Sequence, residues 1–148
     1  MFRLIEAKRY RCLKDVSQRL NPFEILVGAN ASGKSTFLDV IAFLGDFMSD
    51  SLEASVERRT TNFHDLVWGR QLSAFEFSSE AQVPLGASGP FGVVDRIEYK
   101  VVFRLDPEDE GLEVAEERVW IASSPVVTRL GTSLRLTCES LGEPCLCQ

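Results

Sequence analysis

The sequence is poor in the residues from which metal and redox sites are usually built. Its single histidine is His64, and its four cysteines form no CxxC pair. Cys138 lies near the pair Cys145 and Cys147, but three thiols at the end of a sequence are a weak indication of a metal site. We therefore expect reduced thiols rather than a metal cluster or a disulfide framework.

Long hydrophobic runs are absent as well. Polar residues interrupt the N-terminus from Arg3 onward, and no apolar run reaches the length of a membrane-spanning helix. Because no secretory leader is recognisable, we expect a cytoplasmic protein without a membrane partner. The composition, with 45% hydrophobic and 26% charged residues, is typical of a globular chain that can bury a core of its own.

Positive charge is also scarce. Lysine and arginine total 16 against 22 aspartate and glutamate residues, which gives a net charge of -6. That balance is not the usual electrostatic footprint of a nucleic-acid-binding domain. Basic residues are concentrated in residues 1–20 and acidic ones in residues 106–117, and we interpret both as solvated surface.

The N-terminal part has the pattern of a nucleotide-binding α/β unit. Residues 2–13 and Asp15–Leu20 predict two short strands, the first with apolar and basic residues in rough alternation. Glu24–Val27 contains a short apolar run, which predicts a strand buried on both faces. Residues 34–50 predict an amphipathic helix, and residues 51–59 predict a second, polar one. The apolar residues at helical spacing in the first helix are Phe37, Val40, Ile41, Leu44 and Met48.

Further along the chain the apolar period changes to two, which is typical of antiparallel strands. In Asp95–Leu105 every second residue is apolar, and Leu112–Ala122 predicts the returning strand after a turn. Leu134–Cys138 is a further candidate strand, whereas the Gly- and Pro-rich residues 84–92 predict a loop. We expect two units, a nucleotide-binding part and an antiparallel β lobe. Their predicted ranges are residues 1–73 and residues 74–148.

The most informative stretch is GANASGKST at residues 28–36. It matches the pattern G-x-x-x-x-G-K-[ST] completely, and it lies between a predicted strand and a predicted amphipathic helix. The two glycines let the backbone fold tightly around a polyphosphate, and the N–H groups of about residues 31–36 then form a nest for its charge. The sequence therefore predicts a phosphate-binding loop. Its candidate residues are Gly28, Asn30, Ala31, Ser32, Gly33, Lys34, Ser35 and Thr36.

Three side chains of this loop have a predicted role. Lys34 would reach the β- and γ-phosphate oxygens, the Ser35 hydroxyl would complete the coordination of Mg²⁺, and Thr36 would lie near the α-phosphate. Nothing in the sequence resembles the Asn/Thr-Lys-x-Asp element that reads guanine, which favours ATP over GTP. We expect ATP and Mg²⁺ as the ligands of the loop.

The residues around the loop resemble those of a known group of proteins. The basic first strand, the short second strand and then NPFEILVGANASGKSTFLDVI resemble, over roughly residues 1–50, the N-terminal segment of the RecF/SMC/OLD-like AAA-type ATPases. FHDLVWGR at Phe63–Arg70 is similar to the segment that follows there. The resemblance implies an α/β P-loop NTPase fold of the ABC-ATPase head type with an antiparallel β lobe, of which this sequence holds an incomplete, N-terminal portion.

The resemblance also implies a function. Such heads bind ATP and dimerise around it, often in DNA repair or anti-phage defence, so a second head is an expected partner, and DNA is one by analogy only. Hydrolysis in this fold needs an apolar strand that ends in Asp-Glu and a Ser-Gly-Gly-type signature. We expect these elements from a partner chain or from a longer form of this one, and no ATP hydrolysis by residues 1–148 alone.

Four residues are candidates for the catalytic roles, and three of them have a simpler interpretation. Asp106 and Glu108 follow VVFRL, but Arg104 interrupts the apolar run, and the alternation predicts a half-exposed antiparallel strand. His64 comes before the β lobe, and a single loop histidine is more often structural or exposed to solvent. Gln71 is the remaining candidate, as the glutamine that senses Mg²⁺ in the resembling fold.

Two other functions fit the same loop. One is a nucleotide-binding module that docks on a partner chain and does no chemistry. The other is a small P-loop kinase, for which Arg58 and Arg59 are candidate lid residues, although no lid-like helical segment follows them. A catalytic strand, in this chain or in a neighbouring one, would distinguish the ATPase from the binding module.

Overall fold

The main structural element is an antiparallel sheet with a helix packed on one face, as seen in a computed structural model of the chain. The residues that the structure describes are 1–70, 73–83, 88–89, 92–93, 96–106, 108, 111–121, 124–130, 133–135, 138–140 and 143–145. The strands, in chain order, are β1 Phe2–Tyr10, β2 Leu13–Arg19, β3 Ala74–Gln82, β4 Ser88–Gly89, β5 Gly92–Val93, β6 Arg96–Leu105, β7 Leu112–Ile121, β8 Ser124–Leu130, β9 Ser133–Arg135, β10 Cys138–Ser140 and β11 Glu143–Cys145.

Within these residues, seven strands form the main sheet in the order β2-β1-β3-β6-β7-β8-β9. Neighbouring strands pair antiparallel throughout. Helix α1, Lys34–Ser49, and helix α2, Leu52–Glu57, lie between β2 and β3 in the chain, followed by 3-10 turns at Phe63–Leu66 and Trp68–Arg70. Ser51 caps α2, because its side chain accepts a hydrogen bond from a backbone N–H of the first turn.

Aromatic residues fill the interface between α1 and the sheet. Phe43 of α1 is fully buried, and its ring centroid lies 5.2 Å from that of Phe103, 5.6 Å from those of Phe75 and Phe77, and 6.1 Å from that of Tyr10. The rings are tilted or edge-on to one another, an arrangement that adds attraction to the burial of apolar area. The residues that meet α1 therefore come from β1, β3 and β6, the centre of the sheet.

The opposite face of the sheet is polar and carries a line of ion pairs. Glu76 on β3 lies 3.2 Å from the Nζ of Lys8 on β1 and 3.2 Å from the Nζ of Lys100 on β6. Burial alone would raise the pKa of Glu76, but hydrogen bonds from the two lysines outweigh it and hold the pKa below its usual value. Cross-strand pairs of this kind favour the observed register of the three strands.

Most of the predicted elements are confirmed. The two N-terminal strands, the helix after the glycine-rich loop and the long alternating strands β6 and β7 lie where the apolar periods predict them. Tyr99, Val101 and Phe103 share the buried face of β6. The predicted inward residue Met48 is 64% exposed, because in the last turn of α1 the residue that packs on the sheet is Phe47, whose ring centroid lies 4.9 Å from that of Phe103.

The boundary between the two predicted units is less sharply defined than the strands are. Strand β3 pairs with β1, so residues on either side of position 73 belong to one sheet, and the division into 1–73 and 74–148 stays a prediction. The predicted loop at 84–92 contains the short pair β4 and β5, and its other residues lie outside the described ones. The candidate strand Leu134–Cys138 overlaps the ends of β9 and β10.

One predicted strand was wrong. Glu24–Val27 has no regular secondary structure, and Ile25 and Val27 are 67% and 85% exposed. Its composition suits a buried strand, but a strand also needs a neighbour for its N–H and C=O groups. Among the described residues no strand pairs with this segment, and its apolar side chains therefore remain in contact with water.

Two glycines give a matched test of local backbone geometry. Gly45 lies within α1, and a Cβ added there would meet no atom within 4 Å. Gly69 has equally open surroundings but a φ of +71°, in the left-handed region. We expect Gly45→Ala to raise the free energy of unfolding by about 0.4–1 kcal/mol and Gly69→Ala to lower it by about 1–2 kcal/mol. Urea unfolding followed by circular dichroism measures both changes, and shifts of the same sign would contradict the assigned geometry.

Candidate functional site

The glycine-rich loop forms one wall of a cleft at the N-terminal end of α1. The cleft has a volume of about 370 Å³. Besides the loop, it is lined by the turn between β1 and β2, which contributes a single residue. The lining residues are Cys12, Asn30, Ala31, Ser32, Gly33, Lys34, Ser35 and Thr36. Seven of the eight candidate residues named from the sequence thus meet in one cleft, and Gly28 is next to it, below the Lys34 side chain.

The backbone of the loop leaves hydrogen-bond donors free at the start of α1. Gly33 precedes the helix with a φ of +90°, a backbone conformation that favours glycine, and a Cβ there would also lie close to Leu13 Cδ2, at 3.1 Å. The first helical hydrogen bond runs from the Phe37 N–H to the Gly33 carbonyl at 2.8 Å. Within the described residues, the N–H groups of residues 34–36 have no backbone acceptor, and the first turn holds no acidic residue. This end of α1 is therefore able to bind an anion.

The Lys34 side chain folds back across the loop. Its Nζ donates hydrogen bonds to the carbonyls of Gly28 at 2.8 Å and Ala29 at 2.6 Å and to the Ser32 Oγ at 3.2 Å. All three acceptors are neutral and belong to the loop itself. The ammonium therefore has no anionic partner among the described residues, and an anion in the cleft would meet it directly.

Cys12 is a cleft residue that the sequence did not indicate. Its Sγ donates to Thr36 Oγ1 at 3.3 Å, and it is an unpaired, exposed thiol. It reaches the loop because β1 and β2 form a hairpin whose turn lies beside the start of α1. No sequence signal identifies it, since the contact joins residues 24 positions apart and depends on how the hairpin packs.

A polar cluster fixes α1 to β1 and α2 one turn beyond the cleft. The Asp39 carboxylate accepts a hydrogen bond from the Tyr10 hydroxyl at 2.6 Å and from Arg59 Nε at 2.8 Å, and Arg11 lies 3.4 Å away. Burial is the main cause that raises the pKa of Tyr10, and the hydrogen bond to Asp39 is the second cause. The hydroxyl therefore stays protonated and remains a donor. Arg59 also lies 4.8 Å from the Phe43 ring centroid.

The two arginines considered as lid residues are part of the same support. Arg59 Nη1 donates to Asp46 at 2.7 Å, and Arg58 bridges Asp46 and Asp50 of α1. The hydrogen bond from Arg59 holds the pKa of Asp46 below its usual value. The Arg59 side chain is only 8% exposed. Both guanidiniums are thus paired with carboxylates and hold α1 and α2 together rather than facing the cleft.

The segment after α2 packs against the same hairpin turn. The Arg11 N–H donates to the Leu66 carbonyl at 2.8 Å, and Tyr10 forms an isolated bridge with Val67. Gly69 and Arg70 both have positive φ angles, and the residues that follow, Gln71 among them, lie outside the described ones. The role of Gln71 as a Mg²⁺ sensor stays a prediction.

The remaining catalytic candidates that the structure describes lie in turns, where their backbone groups form hydrogen bonds. His64 lies in a 3-10 turn capped by Asn62, whose side chain accepts the His64 N–H at 3.0 Å. Asp106 follows β6, and its N–H donates to the Gly111 carbonyl at 2.8 Å, which closes the hairpin to β7. Strand β6 is antiparallel to both of its neighbours, as the alternation predicts. Within the part that the structure describes, no group of three or more His, Cys, Asp or Glu residues could hold a metal ion.

Comparison with known proteins places the chain in a family. Residues 24–130, well over half of the chain, match the family described as "AAA domain, putative AbiEii toxin, Type IV TA system". The chain belongs to this family of AAA domains. Membership implies nucleotide binding as the general property, and the matched residues include the whole glycine-rich loop, α1 and the strands β3 to β8.

A solved structure agrees with this family at the level of the fold. The AAA domain is similar to an SMC ATPase described for ATP-driven dimerization and DNA-stimulated activation, with a TM-score of 0.53 and 18% identity over 84% of this chain and 70% of that one. At this identity the likeness shows the fold alone, that of a P-loop ATPase head of the SMC type. No curated protein matches the sequence. Within the described residues, no helix has the length and apolar character to cross a membrane.

The polar cluster beside the cleft gives a testable prediction about its support. Asp39→Ala leaves the almost buried Arg59 guanidinium with one carboxylate fewer and the Tyr10 hydroxyl without its acceptor, so we expect a loss of about 1–3 kcal/mol in the free energy of unfolding. The matched variant Tyr10→Phe removes one hydrogen bond and keeps the ring, at a cost of about 0.5–1.5 kcal/mol. Urea unfolding of both variants measures the difference, and an equal or smaller loss in Asp39→Ala would contradict a central role for the carboxylate.

Proposed function

We propose that this AAA domain binds ATP with Mg²⁺ through the loop at residues 28–36, as the N-terminal part of an ATPase head. The observation that supports it most directly is the loop's position. A complete G-x-x-x-x-G-K-[ST] pattern lies directly before a 16-residue helix with free N–H groups and no acidic residue in its first turn. The proposed nucleotide-binding residues are Gly28, Asn30, Ala31, Ser32, Gly33, Lys34, Ser35 and Thr36.

Lys34 would change partners when the nucleotide binds. Its ammonium now uses the carbonyls of Gly28 and Ala29 and the Ser32 hydroxyl as acceptors. Charged phosphate oxygens are stronger acceptors than neutral carbonyls, so they would take over part of these bonds. The present hydrogen bonds hold the charge over the loop in advance, which reduces the entropy lost on binding.

Ser35 is the proposed Mg²⁺ ligand. Its side chain is exposed at the start of α1, one residue after Lys34. Mg²⁺ prefers oxygen ligands and is usually held by one or two protein groups together with phosphates and water. The Ser35 hydroxyl would supply one oxygen ligand on the protein side, and phosphate oxygens and water would supply others.

Hydrolysis would need groups beyond those in residues 1–148. In the part of the chain that the structure describes, the nearest acidic residues after an apolar strand are Asp106 and Glu108, in a hairpin turn of the antiparallel sheet. We propose that the catalytic acid and the signature come from a second ATPase head or from a chain that carries them. The SMC ATPase of similar fold is described for dimerization driven by ATP and for activation by DNA, which supports a second head and makes DNA a further candidate partner.

The second candidate function is a nucleotide-binding module without chemistry. It would use the same loop, so ATP turnover measured with a candidate partner distinguishes the two functions, whereas binding alone does not. A small kinase has less support, because Arg58 and Arg59 are paired with Asp46, Asp50 and Asp39.

Calorimetric titration of Mg·ATP into the full chain tests the proposed site. We expect binding by the unsubstituted chain and an affinity about ten- to a hundredfold lower for Lys34→Ala, because a hydrogen-bonded charge is removed. Lys8→Ala is the matched control, since it deletes a lysine from the opposite face of the sheet and should leave the affinity unchanged. Unchanged affinity in a folded Lys34→Ala variant would show that the loop is not the ATP-binding site.

The Mg²⁺ ligand is tested by the same titration with and without the metal. We expect Ser35→Ala to weaken ATP binding in Mg²⁺ but not in EDTA, because the substitution deletes only a metal ligand. An equal loss of affinity in both buffers would assign Ser35 to the nucleotide rather than to the metal.

A further inference from the structure

The polar face of the sheet holds a pocket rich in arginine at the end where β1 begins. The pocket has a volume of about 430 Å³, which is typical of sites for small molecules. Strands β2, β1 and β6 each contribute one arginine, and β3 contributes Glu80 and Gln82 between them. The three arginines are Arg19, Arg3 and Arg96. Four neighbouring strands therefore build one concave, charged site.

A β-bulge at the start of β1 directs Arg3 to this pocket. The register with β3 shifts by one residue between Phe2 and Leu4, so Arg3 is an extra residue on β1. In strict alternation Arg3 would lie on the buried face with Ile5. Its Nε instead donates a hydrogen bond to Gln82 Oε1 at 2.9 Å, on the polar face. Bulges commonly re-aim a side chain in this way beside functional sites.

Two of the three arginines have no carboxylate partner. Within the described part of the chain, the Arg19 guanidinium forms no ion pair or hydrogen bond, and Arg3 binds only the neutral amide oxygen of Gln82. In the middle of the same face, by contrast, the lysines are paired with Glu76. Two guanidiniums that line one pocket without a carboxylate partner are an arrangement that a bound anion stabilises.

The charges around the pocket leave a positive excess. Arg96 lies 3.3 Å from Glu98 on its own strand, and Glu80 is a carboxylate of the lining. Three guanidiniums thus face two carboxylates, and the arginines without a carboxylate partner are those on β1 and β2. The excess favours a small anion with more than one acceptor oxygen.

We propose that Arg3, Arg19 and Arg96 bind the phosphate group of a small phosphorylated molecule. Each guanidinium presents a fork of N–H donors that matches the geometry of phosphate oxygens. The free oxygens of a phosphate ester can accept hydrogen bonds from all three arginines, whereas a carboxylate has only two oxygens to share. The site is separate from the glycine-rich loop, because Arg3 lies about 23 Å along β1 from Tyr10, beside the turn that reaches the loop. The proposal therefore holds whether or not the loop binds ATP.

The surroundings of the pocket favour a small ligand over nucleic acid. A DNA or RNA backbone carries a phosphate at every nucleotide, so it needs a row of cations that continues beyond one pocket. Toward the middle of the polar face the neighbouring charges include Glu6 on β1 and Glu98 on β6. The chain as a whole has a net charge of -6. Such a surface would repel the next phosphates of a nucleic-acid strand.

Arginine signals in NMR spectra provide the test. The full chain is titrated with inorganic phosphate at constant ionic strength, and the Nε–Hε resonances of the arginines are followed. We expect saturable shifts for Arg3, Arg19 and Arg96 with a dissociation constant of about 1 mM, because two or three charge-assisted hydrogen bonds form. Acetate, the carboxylate probe, should bind about tenfold more weakly. A short single-stranded oligonucleotide without a terminal phosphate should not displace the bound phosphate.

Matched variants of the protein locate the site. Arg19→Gln should weaken phosphate binding about tenfold, and the fold should tolerate it because the guanidinium has no partner among the described residues. Arg9→Gln is the control, since Arg9 is an exposed arginine at the other end of β1, and it should retain the affinity. Glu80→Gln should tighten binding about threefold, because it removes a negative charge from the lining.

The same titration separates this site from the glycine-rich loop. Lys34→Ala should leave the shifts of the three arginines unchanged, so failure of the ATP proposal and failure of this one are distinguishable. Circular dichroism verifies that all variants are folded.

Four outcomes would overturn the proposal. Absence of saturable arginine shifts in a folded chain would show that the pocket does not bind phosphate. An equal loss of affinity in Arg9→Gln and Arg19→Gln would show attraction to the general charge of the surface. Equal affinity for acetate would identify a carboxylate as the occupant, and displacement of phosphate by the oligonucleotide would identify a nucleic-acid backbone.

Discussion

Phe43 packs against rings from three strands, and the position of the glycine-rich loop depends on that contact. The residue lies nine positions after Lys34, so about 14 Å of helix separates the aromatic core from the loop. A helix anchored at its middle by rigid rings transmits its orientation to its first turn. The core of this domain, built from β1, β3, β6 and α1, therefore sets the direction in which the free N–H groups of the first turn point.

The carboxylate of Asp39 adds polar contacts to the apolar packing of α1. It binds Tyr10 on one side and Arg59 on the other, so α1 is attached to β1 and to the residues after α2 at the same level. Such partly buried charges contribute less to net stability than their number suggests, because desolvation offsets much of the attraction. Their geometric effect is to define one orientation of the helix beside the β1–β2 turn that carries Cys12.

The sequence was enough to predict those parts of the fold that depend on residues close together in the chain. The spacing of apolar residues predicted the central strands and α1, because a helix or strand with one buried face has a regular apolar spacing in its sequence. The loop at 28–36 was recognisable because its residues are consecutive. Cys12 and the partners of Arg59 could not be predicted in this way, because they depend on how separate elements pack. Arg58 and Arg59 were considered as lid residues for the same reason, because the sequence does not show which carboxylates pair with them in the folded chain.

The wrong prediction at Glu24–Val27 has a different cause. The apolar composition is typical of a buried strand, but burial requires a neighbouring element that covers the side chains, and the described residues contain none at that position. Natural sequences usually agree with their surroundings at every level, and the places where they disagree are commonly functional or strained sites. Here the unsatisfied residues lie directly before the loop. Composition alone therefore identifies the kind of residue that a buried strand needs, but it does not show whether a neighbouring strand is available to pair with it.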